Sequence, residues 1–404
     1  MTRRTTTKRS CLNSEQHGIL LGPVRVLIRR RHFVFGFSFV ALLSLAIYIA
    51  PRSEVVNRSL PEKWSDVEFW KLITDFSESG GFFRSENFVS NESTFQHVIP
   101  DLRKRAKPGG VYLGVGPDQN FTYLAALRPK LAFIIDIRRQ NMLEHLMYKA
   151  LFELSENRSV FLSKLFSRAL PRSLHENAAI DRLFEALNMA EADPDLARQN
   201  LNAVLDQLRN LHHFPLSPDD VRNIEHVYTS FVKAGPEIRY SFPNQYGWRR
   251  FPSYSELLLE TDEEGQNHSY MSSEESFRTI KQLQTENRIV PLVGDFAGEK
   301  ALSEVGEYLK QHGVTVTAFY TSNVEFYLFQ TEDWKKFLHN VAGLPLDRNS
   351  LFIRAYFNNY GFRFPNQASG ARSVTLLDTM PELLAAFEAG RIHSYFDVIQ
   401  RSVQ

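Results

Sequence analysis

Two glycines, Gly114 and Gly116, follow a short apolar run and precede a stretch that can begin a helix. Because glycine lacks a Cβ atom, the backbone N–H groups of such a turn can approach a ligand closely. Asp136 lies twenty residues beyond Gly116, the spacing at which a carboxylate accepts hydrogen bonds from a ribose diol. The pattern predicts a site for a cofactor that contains a nucleoside.

The loop after the first glycine distinguishes between two classes of cofactor. Dinucleotide-binding sites carry a third glycine, and the corresponding position here is Phe121. S-adenosylmethionine has no pyrophosphate, so its loop tolerates polar residues. Asp118 and Asn120 are therefore predicted to contact this cofactor, and either can cap the helix that begins at Phe121. The alternative is an ordinary strand–turn–helix unit in which both glycines are incidental.

Polar groups follow three successive strands of the predicted sheet. Ligands of an open α/β sheet bind in the crevice beyond the carboxyl ends of its strands. Asp136 is predicted to hold the ribose and Asp295 the adenine amino group of the cofactor. Tyr320, Asn323 and Glu325 follow the next strand and are the catalytic candidates, because a neutral nucleophile needs a base near its proton.

Aromatic residues near the end of a predicted insertion are candidates for substrate contacts. Tyr246, Trp248 and Tyr254 are predicted either to line a substrate pocket or to pack the insertion against the core, since aromatic side chains bury large areas. Arg354 interrupts an apolar strand. A buried ion pair is the favoured interpretation of Arg354, and contact with an anionic substrate group is the alternative.

Short apolar runs alternate with helical patterns over residues 107–404, which predicts an α/β domain. The leading residues 52–106 are predicted to be a linker and helices, and residues 171–270 a helical insertion. Asn141 to Arg168 is predicted to be one long amphipathic helix. The predicted strands are Val111 to Val115, Leu131 to Ile137, Ile289 to Val293, Val314 to Tyr320, Leu351 to Phe357 and Ser373 to Leu377.

Composition and charge exclude several classes of function. The net charge of +1 provides no overall field that would favour nucleic acid. Cys11 is the single cysteine, so an internal disulfide and a cysteine-based zinc site are excluded. His212 and His213 lack a third histidine or an acid at ligand spacing, and no metal site is predicted.

The N-terminal region predicts a membrane anchor. Residues 1–31 form a basic tail, and residues 32–51 are predicted to span the membrane, since Phe33 to Ala50 carries no acid, Lys or Arg. As a helix this run covers about 27 Å. A cleaved signal peptide and a buried core helix are the alternatives. Arg25 and Arg29 to Arg31 precede the span, whereas Arg52 and Arg58 follow it. This asymmetry predicts a cytoplasmic N-terminus and an exported domain.

Four stretches resemble a bacterial family with a methyltransferase-like fold: FVSNE, YLGVGPDQNFTYLAALRPKLAFIIDIRRQN, PLVGDFAGEKALSEVGEYL and AFYTSNVEFYLF. The resemblance covers most of residues 60 to 360. It implies a Rossmann-like class I S-adenosylmethionine-dependent methyltransferase sheet with a helical insertion, here behind an N-terminal transmembrane helix. Gly114, Gly116 and Asp118 would form the cofactor loop, with Asp136 at the ribose and Asp295 at the adenine. Tyr112 stands where the family's first motif has an acid.

Two functions remain open from the sequence. The first is a membrane-anchored methyltransferase that acts on an unidentified acceptor. The second is a catalytically inactive methyltransferase fold that serves as a binding or scaffolding module outside the cytoplasm, where S-adenosylmethionine is not expected. Asn87 and Asn91, just ahead of the glycine loop, are interpreted as solvated turn residues, with contacts to the cofactor as the alternative.

Overall fold

The structure is a computed structural model that describes residues 59–171, 174, 177–241, 251–358 and 371–402. The predicted anchor and the substrate candidates Tyr246 and Trp248 lie outside the described residues. None of the helices in the described part of the chain combines the length and hydrophobicity needed to cross a bilayer.

Six strands form one mixed sheet in the order β3-β2-β1-β4-β5-β6. The first five strands are parallel, and β6 runs antiparallel to β5. The strands are β1 (Val111–Gly114), β2 (Leu131–Asp136), β3 (Ile289–Val293), β4 (Val316–Ser322), β5 (Leu351–Phe357) and β6 (Ser373–Thr379). This architecture confirms an α/β fold with a Rossmann-like sheet.

The parallel strands are nearly continuous apolar runs because they are covered on both faces. Every residue of β1, β2, β3 and β5 is buried, which is typical of a parallel sheet between helical layers. The antiparallel edge strand β6 has both buried and half-buried residues, as a strand with one more open face does.

Fifteen α-helices lie in the described residues. Those before β3 are α1 (Asp66–Phe76), α2 (Ile99–Arg105), α3 (Gln119–Leu127), α4 (Arg139–Glu153), α5 (Arg158–Phe166), α6 (Ile180–Met189), α7 (Pro194–Asp206), α8 (Pro218–Ala234), α9 (Tyr254–Leu259) and α10 (Glu274–Thr285). Those after β3 are α11 (Ala301–Gln311), α12 (Val324–Gln330), α13 (Trp334–Ala342), α14 (Met380–Glu388) and α15 (Tyr395–Arg401).

The prediction of one helix from Asn141 to Arg168 is wrong, because α4 ends at Glu153 and α5 begins at Arg158. Ser155 donates its hydroxyl to the carbonyl of Leu151 at 2.6 Å. Asn157 then accepts a hydrogen bond from the backbone N–H of Val160 and caps the second helix. Short polar side chains that bond to nearby backbone groups compete with helix continuation.

Helices α6 to α9 lie between β2 and β3 in the chain, within the predicted insertion. Aromatic rings make part of their contact with the core. Phe231 of α8 packs its ring edge against Tyr148 of α4, and Tyr254 packs edge-on against Phe166 and Phe231. The insertion therefore covers α4, the helix that directly follows β2.

Candidate functional site

The order of the strands locates the candidate site. β1 lies between β2 and β4, so the direction of strand succession reverses between β1 and β4. In open α/β sheets, ligands bind at such a switch point, beyond the carboxyl ends of the strands. Gly114 ends β1 and Ser322 ends β4, so the loops that follow these two residues form the candidate site.

The two glycines of the loop serve different purposes. Gly116 has φ +75°, a left-handed conformation that favours glycine, and a Cβ placed there would lie in ordinary contact with Asn87 Nδ2 at 3.7 Å. At Gly114 a Cβ would collide with the carboxamide of Asn120. Gly116 therefore permits the left-handed turn of the loop, whereas Gly114 permits close packing inside it.

Asn120 holds the loop in shape. Its Nδ2 donates to the backbone carbonyls of Val115 at 2.9 Å and Pro117 at 2.7 Å, while its Oδ1 accepts from the Tyr112 hydroxyl at 2.9 Å. The prediction that Asn120 or Asp118 caps the following helix is wrong. α3 begins at Gln119, and Asp118 at its N-cap makes no side-chain capping bond, because its carboxylate is bonded elsewhere.

The carboxylate of Asp118 accepts a hydrogen bond from the Tyr270 hydroxyl at 2.9 Å. The hydroxyls of Tyr270 and Tyr254 lie 2.7 Å apart. Tyr270 thus links Asp118, which is a predicted cofactor contact, to Tyr254, which is a predicted substrate contact. Burial raises the pKa of Asp118 to about 7, because a charged carboxylate loses its hydration there.

A carboxylate that sequence analysis did not single out spans the switch point. Glu92 is 1% exposed. Its Oε1 accepts from the hydroxyls of Tyr320, at 2.8 Å, and Ser322, and its Oε2 accepts from Gln119 Nε2 at 2.9 Å. Burial raises the pKa of Glu92 despite these three bonds. The side chain therefore ties the loop after β1 to the end of β4.

The local sequence gives one indication of Glu92, which is its place at the end of FVSNE, a stretch that resembles the bacterial family. Asn87 and Asn91 come from the same segment, and Asn87 does lie beside Gly116. The contact between Glu92 and Tyr320 joins residues 228 positions apart, a separation that no short motif covers.

Asp136 and Arg138 form a closed pair at the end of β2. Arg138 donates from its backbone N–H and Nε to Asp136 Oδ1, at 2.9 and 3.1 Å, and from Nη2 to Oδ2 at 3.0 Å. Both side chains are buried. A ribose diol at Asp136 would have to replace the guanidinium of Arg138.

Residues 77–81 cross the ends of β2 and β3. Gly81 donates its N–H to the carbonyl of Ile137 at 2.7 Å, and Glu78 donates its N–H to the carbonyl of Val293 at 3.0 Å. Glu78 Oε1 in turn accepts from the Asp295 N–H at 2.9 Å. The carboxylate of Asp295 accepts from the Ala297 N–H at 2.9 Å and so belongs to a tight turn.

The two remaining catalytic candidates lie at the start of α12. Asn323 is the N-cap residue of that helix, next to Ser322. Glu325 is bound by Arg354, with Nε to Oε2 at 2.8 Å and Nη2 to Oε1 at 3.2 Å. Arg354 also reaches Asp378 at 3.1 Å. The prediction of a buried ion pair for Arg354 is confirmed, and Glu325 is its partner.

The described residues contain no group of three or more His, Cys, Asp or Glu side chains arranged to hold a metal ion. Residues 87–384 match a family model described as a domain of unknown function, DUF7790. The match covers more than half of the chain, so the chain belongs to this family. No curated protein matches the chain.

Proposed function

We propose that this protein is a membrane-anchored, S-adenosylmethionine-dependent methyltransferase that acts at the switch point between β1 and β4. The observation that carries this proposal is Glu92, a buried carboxylate that connects the glycine loop, through Gln119, to Tyr320 and Ser322 at the end of β4. A buried ionisable group with a shifted pKa beside a ligand loop is characteristic of functional sites.

The residues at the switch point fit S-adenosylmethionine. Gly116 gives the loop after β1 its left-handed turn, and the polar residues of this loop suit a cofactor that has no pyrophosphate. Asp136 would hold the ribose after Arg138 withdraws, and Asp295 lies on the same edge because Gly294 donates its N–H to the Asp136 carbonyl at 2.9 Å. S-adenosylmethionine supplies an electrophilic methyl group on sulfur.

The protein's own contribution would be alignment and proton transfer. Tyr320 and Ser322 both donate to the same oxygen of Glu92, so the three side chains hold one another in a fixed arrangement. A carboxylate with a raised pKa accepts a proton more readily than an exposed one. Exclusion of water by the buried surroundings strengthens each of these interactions.

The test is calorimetric titration of the full chain with S-adenosylhomocysteine, S-adenosylmethionine and NAD. We expect binding of the first two and none of NAD. Asp136→Ala should weaken binding by about 1.5–3 kcal/mol, the range for hydrogen bonds to a charged acceptor. Glu304→Gln, on the exposed face of α11, serves as the control. Absence of binding, or tighter binding of NAD, overturns the proposal.

A catalytically inactive binding or scaffolding module is the second candidate. The closed pair of Asp136 and Arg138 favours it, because the cofactor would need the carboxylate that Arg138 occupies. If neither the natural chain nor Arg138→Gln binds S-adenosylhomocysteine, this second candidate is the better account.

The membrane anchor is part of the proposal and is tested separately. Alkaline carbonate should leave the full-length chain in the membrane pellet, and a reporter fused after Gln404 should read as extracytoplasmic because of the charge asymmetry around residues 32–51. A mature chain that begins near residue 51 would identify a signal peptide instead. A cytoplasmic reading would strengthen the enzyme over the scaffold.

A further inference from the structure

One face of α4 buries polar side chains where a helix in this position normally buries apolar ones. Asn141, Glu144, His145 and Tyr148 follow the spacing i, i+3, i+4, i+7, which brings them onto one side of the helix. Each is at most 2% exposed. We call these four residues the polar face of α4.

All four residues of the polar face carry atoms without a hydrogen-bond partner among the described residues. These atoms are both carboxamide atoms of Asn141, Oε1 of Glu144, Nδ1 of His145 and the hydroxyl of Tyr148. A buried polar group without a partner destabilises the folded protein. Several such groups on one helix face point to an occupant, either water or a ligand.

The chemistry of these atoms defines the molecule that would satisfy them. His145 Nε2 lies 2.9 Å from the Gly116 carbonyl, which only accepts, so Nε2 carries the proton and Nδ1 is an acceptor. Burial lowers the pKa of His145 to about 4, so the ring is neutral. Oε1 of Glu144 and Oδ1 of Asn141 are further acceptors, and these three atoms suit a ligand with several N–H donors, whereas Asn141 Nδ2 and the Tyr148 hydroxyl can donate.

The charges around Glu144 point to a cationic ligand. Arg138, Asp118 and Asp136 are the charged neighbours that act on Glu144, and burial raises its pKa well above the ordinary value. Arg138 is already committed to Asp136. Among the described residues, Asp118 and Glu144 are therefore two buried carboxyl groups without a cation of their own, and a positively charged ligand would stabilise both as carboxylates.

Aromatic rings complete the surroundings. Tyr148 packs edge-on against Phe121 and Phe231, at 5.4 and 6.0 Å between ring centroids, and stacks on Phe161 at 6.3 Å. The Tyr270 hydroxyl reaches Asp118. Carboxylates beside aromatic rings are the combination that recognises substituted ammonium groups.

We propose that the polar face of α4, together with Asp118, binds a protonated amine and that this amine is the methyl acceptor. The claim that this amine is the methyl acceptor rests on the proposed function. His145 connects this face directly to Gly116 of the cofactor loop. The amine would give one proton to a carboxylate, and its nitrogen would then bond to the methyl carbon as the carbon–sulfur bond breaks. Sulfur would keep the electron pair.

The test is thermal unfolding of the full chain with propylammonium chloride, 1-propanol and sodium propionate, three probes of similar shape and different charge. A ligand that binds the folded state raises the melting temperature in proportion to RT ln(1 + [L]/Kd). We expect propylammonium alone to raise it. A shift no larger than that of 1-propanol leaves buried water as the occupant and overturns the proposal.

Variants locate the binding. Glu144→Gln should reduce the affinity for propylammonium about tenfold or more, since about 1.4 kcal/mol corresponds to a factor of ten. Tyr148→Phe, which removes only a hydroxyl, should reduce this affinity several-fold. This second variant keeps the test valid if Glu144→Gln fails to fold. Glu260→Gln is the matched control. Burial also raises the pKa of Glu260, to about 8, and glutamine keeps an acceptor for the Thr94 N–H.

Unchanged propylammonium binding in both Glu144→Gln and Tyr148→Phe overturns the amine site. Titration of the same variants with S-adenosylhomocysteine separates the two proposals. If this cofactor product binds and propylammonium does not, the amine site is wrong and the proposed function stands. If propylammonium binds and the cofactor product does not, the amine site stands without methyl transfer.

Discussion

Two buried groups of acidic side chains in this protein are built in opposite ways. Around Arg354, the carboxylates of Glu325 and Asp378 share one guanidinium, and the contacts run from 2.8 to 3.2 Å. On the polar face of α4, Glu144 leaves Oε1 without a partner among the described residues, and its carboxyl neighbour Asp118 accepts a hydrogen bond from a tyrosine. The acids of the first group share a cation, whereas those of the second have none among the described residues and burial raises their pKa values.

The difference separates architecture from candidate function. A charged group buried with good partners fixes the position of the elements that carry it, and here it joins β5, β6 and α12. A buried acid without a cation lowers the stability of the folded protein, so it is retained only where it contributes something else. The buried carboxylates near the switch point are therefore candidates for function, whereas the equally buried ones near Arg354 stabilise the fold.

The largest expected effect comes from Arg354→Met, which breaks the compensated group. Two carboxylates would remain buried without their cation, which costs about 3–5 kcal/mol of the free energy of unfolding. Denaturant unfolding of the full chain measures this loss. Arg401→Met is the control, since Arg401 lies 3.7 Å from Asp378 and is 24% exposed, and we expect a loss below about 1 kcal/mol. A loss below 1 kcal/mol for Arg354→Met would contradict the comparison.

Asp118→Asn should change how stability depends on pH. The pKa of Asp118 is raised from 3.8 to about 7 in the folded protein, so the folded state binds this proton more tightly than the unfolded state does. Natural-chain stability is therefore lost as pH rises from about 4 to about 7, by roughly 3–4 kcal/mol. Because asparagine does not titrate, the variant should not lose stability in this way as pH rises.

Unfolding at pH 4 and pH 8 tests the prediction for Asp118. We expect equal stability of Asp118→Asn and the natural chain at the lower pH, and a more stable variant at the higher pH. Parallel pH profiles for the two proteins would show that Asp118 titrates normally in the folded chain.

The change from glutamate to glutamine, made once near Arg354 and once on the polar face of α4, compares the two groups most closely. At pH 8, Glu325→Gln should lower the free energy of unfolding by about 2 kcal/mol, because it removes a charge-assisted pair. Glu144→Gln should raise it, since burial raises the pKa of Glu144 and disfavours its ionised form. Chemical denaturation of the two variants side by side measures both signs. Losses of equal size would erase the distinction between the two groups.

Asp136 is an intermediate case, because its cation Arg138 lies at the edge of the proposed cofactor site. Arg138→Gln should strengthen the binding of S-adenosylhomocysteine several-fold, about 1 kcal/mol, by freeing the carboxylate of Asp136 for the ribose. Calorimetry compares the variant with the natural chain. Weaker binding in the variant would show that Arg138 positions the carboxylate of Asp136 and does not block it.

Most of the sheet could be predicted from the sequence. The predicted strands Ile289 to Val293 and Leu351 to Phe357 have the same bounds in the structure, and Val314 to Tyr320 is displaced by two residues from β4. Strands buried on both faces are short apolar runs between breakers, and such runs are visible locally. The long helix from Asn141 failed because two short polar side chains interrupted an apolar pattern.

The sequence by itself determined the alternation of strands and helices, the glycine loop after β1 and the acid at the end of β2, because each depends on residues within about twenty positions of one another. Only the tertiary structure decided the partners of the buried charges. Glu92 meets Tyr320 across 228 positions and Asp118 meets Tyr270 across 152. Side-chain pairing at such separations follows from how the sheet and the insertion pack, and burial then decides which of these groups hold a proton.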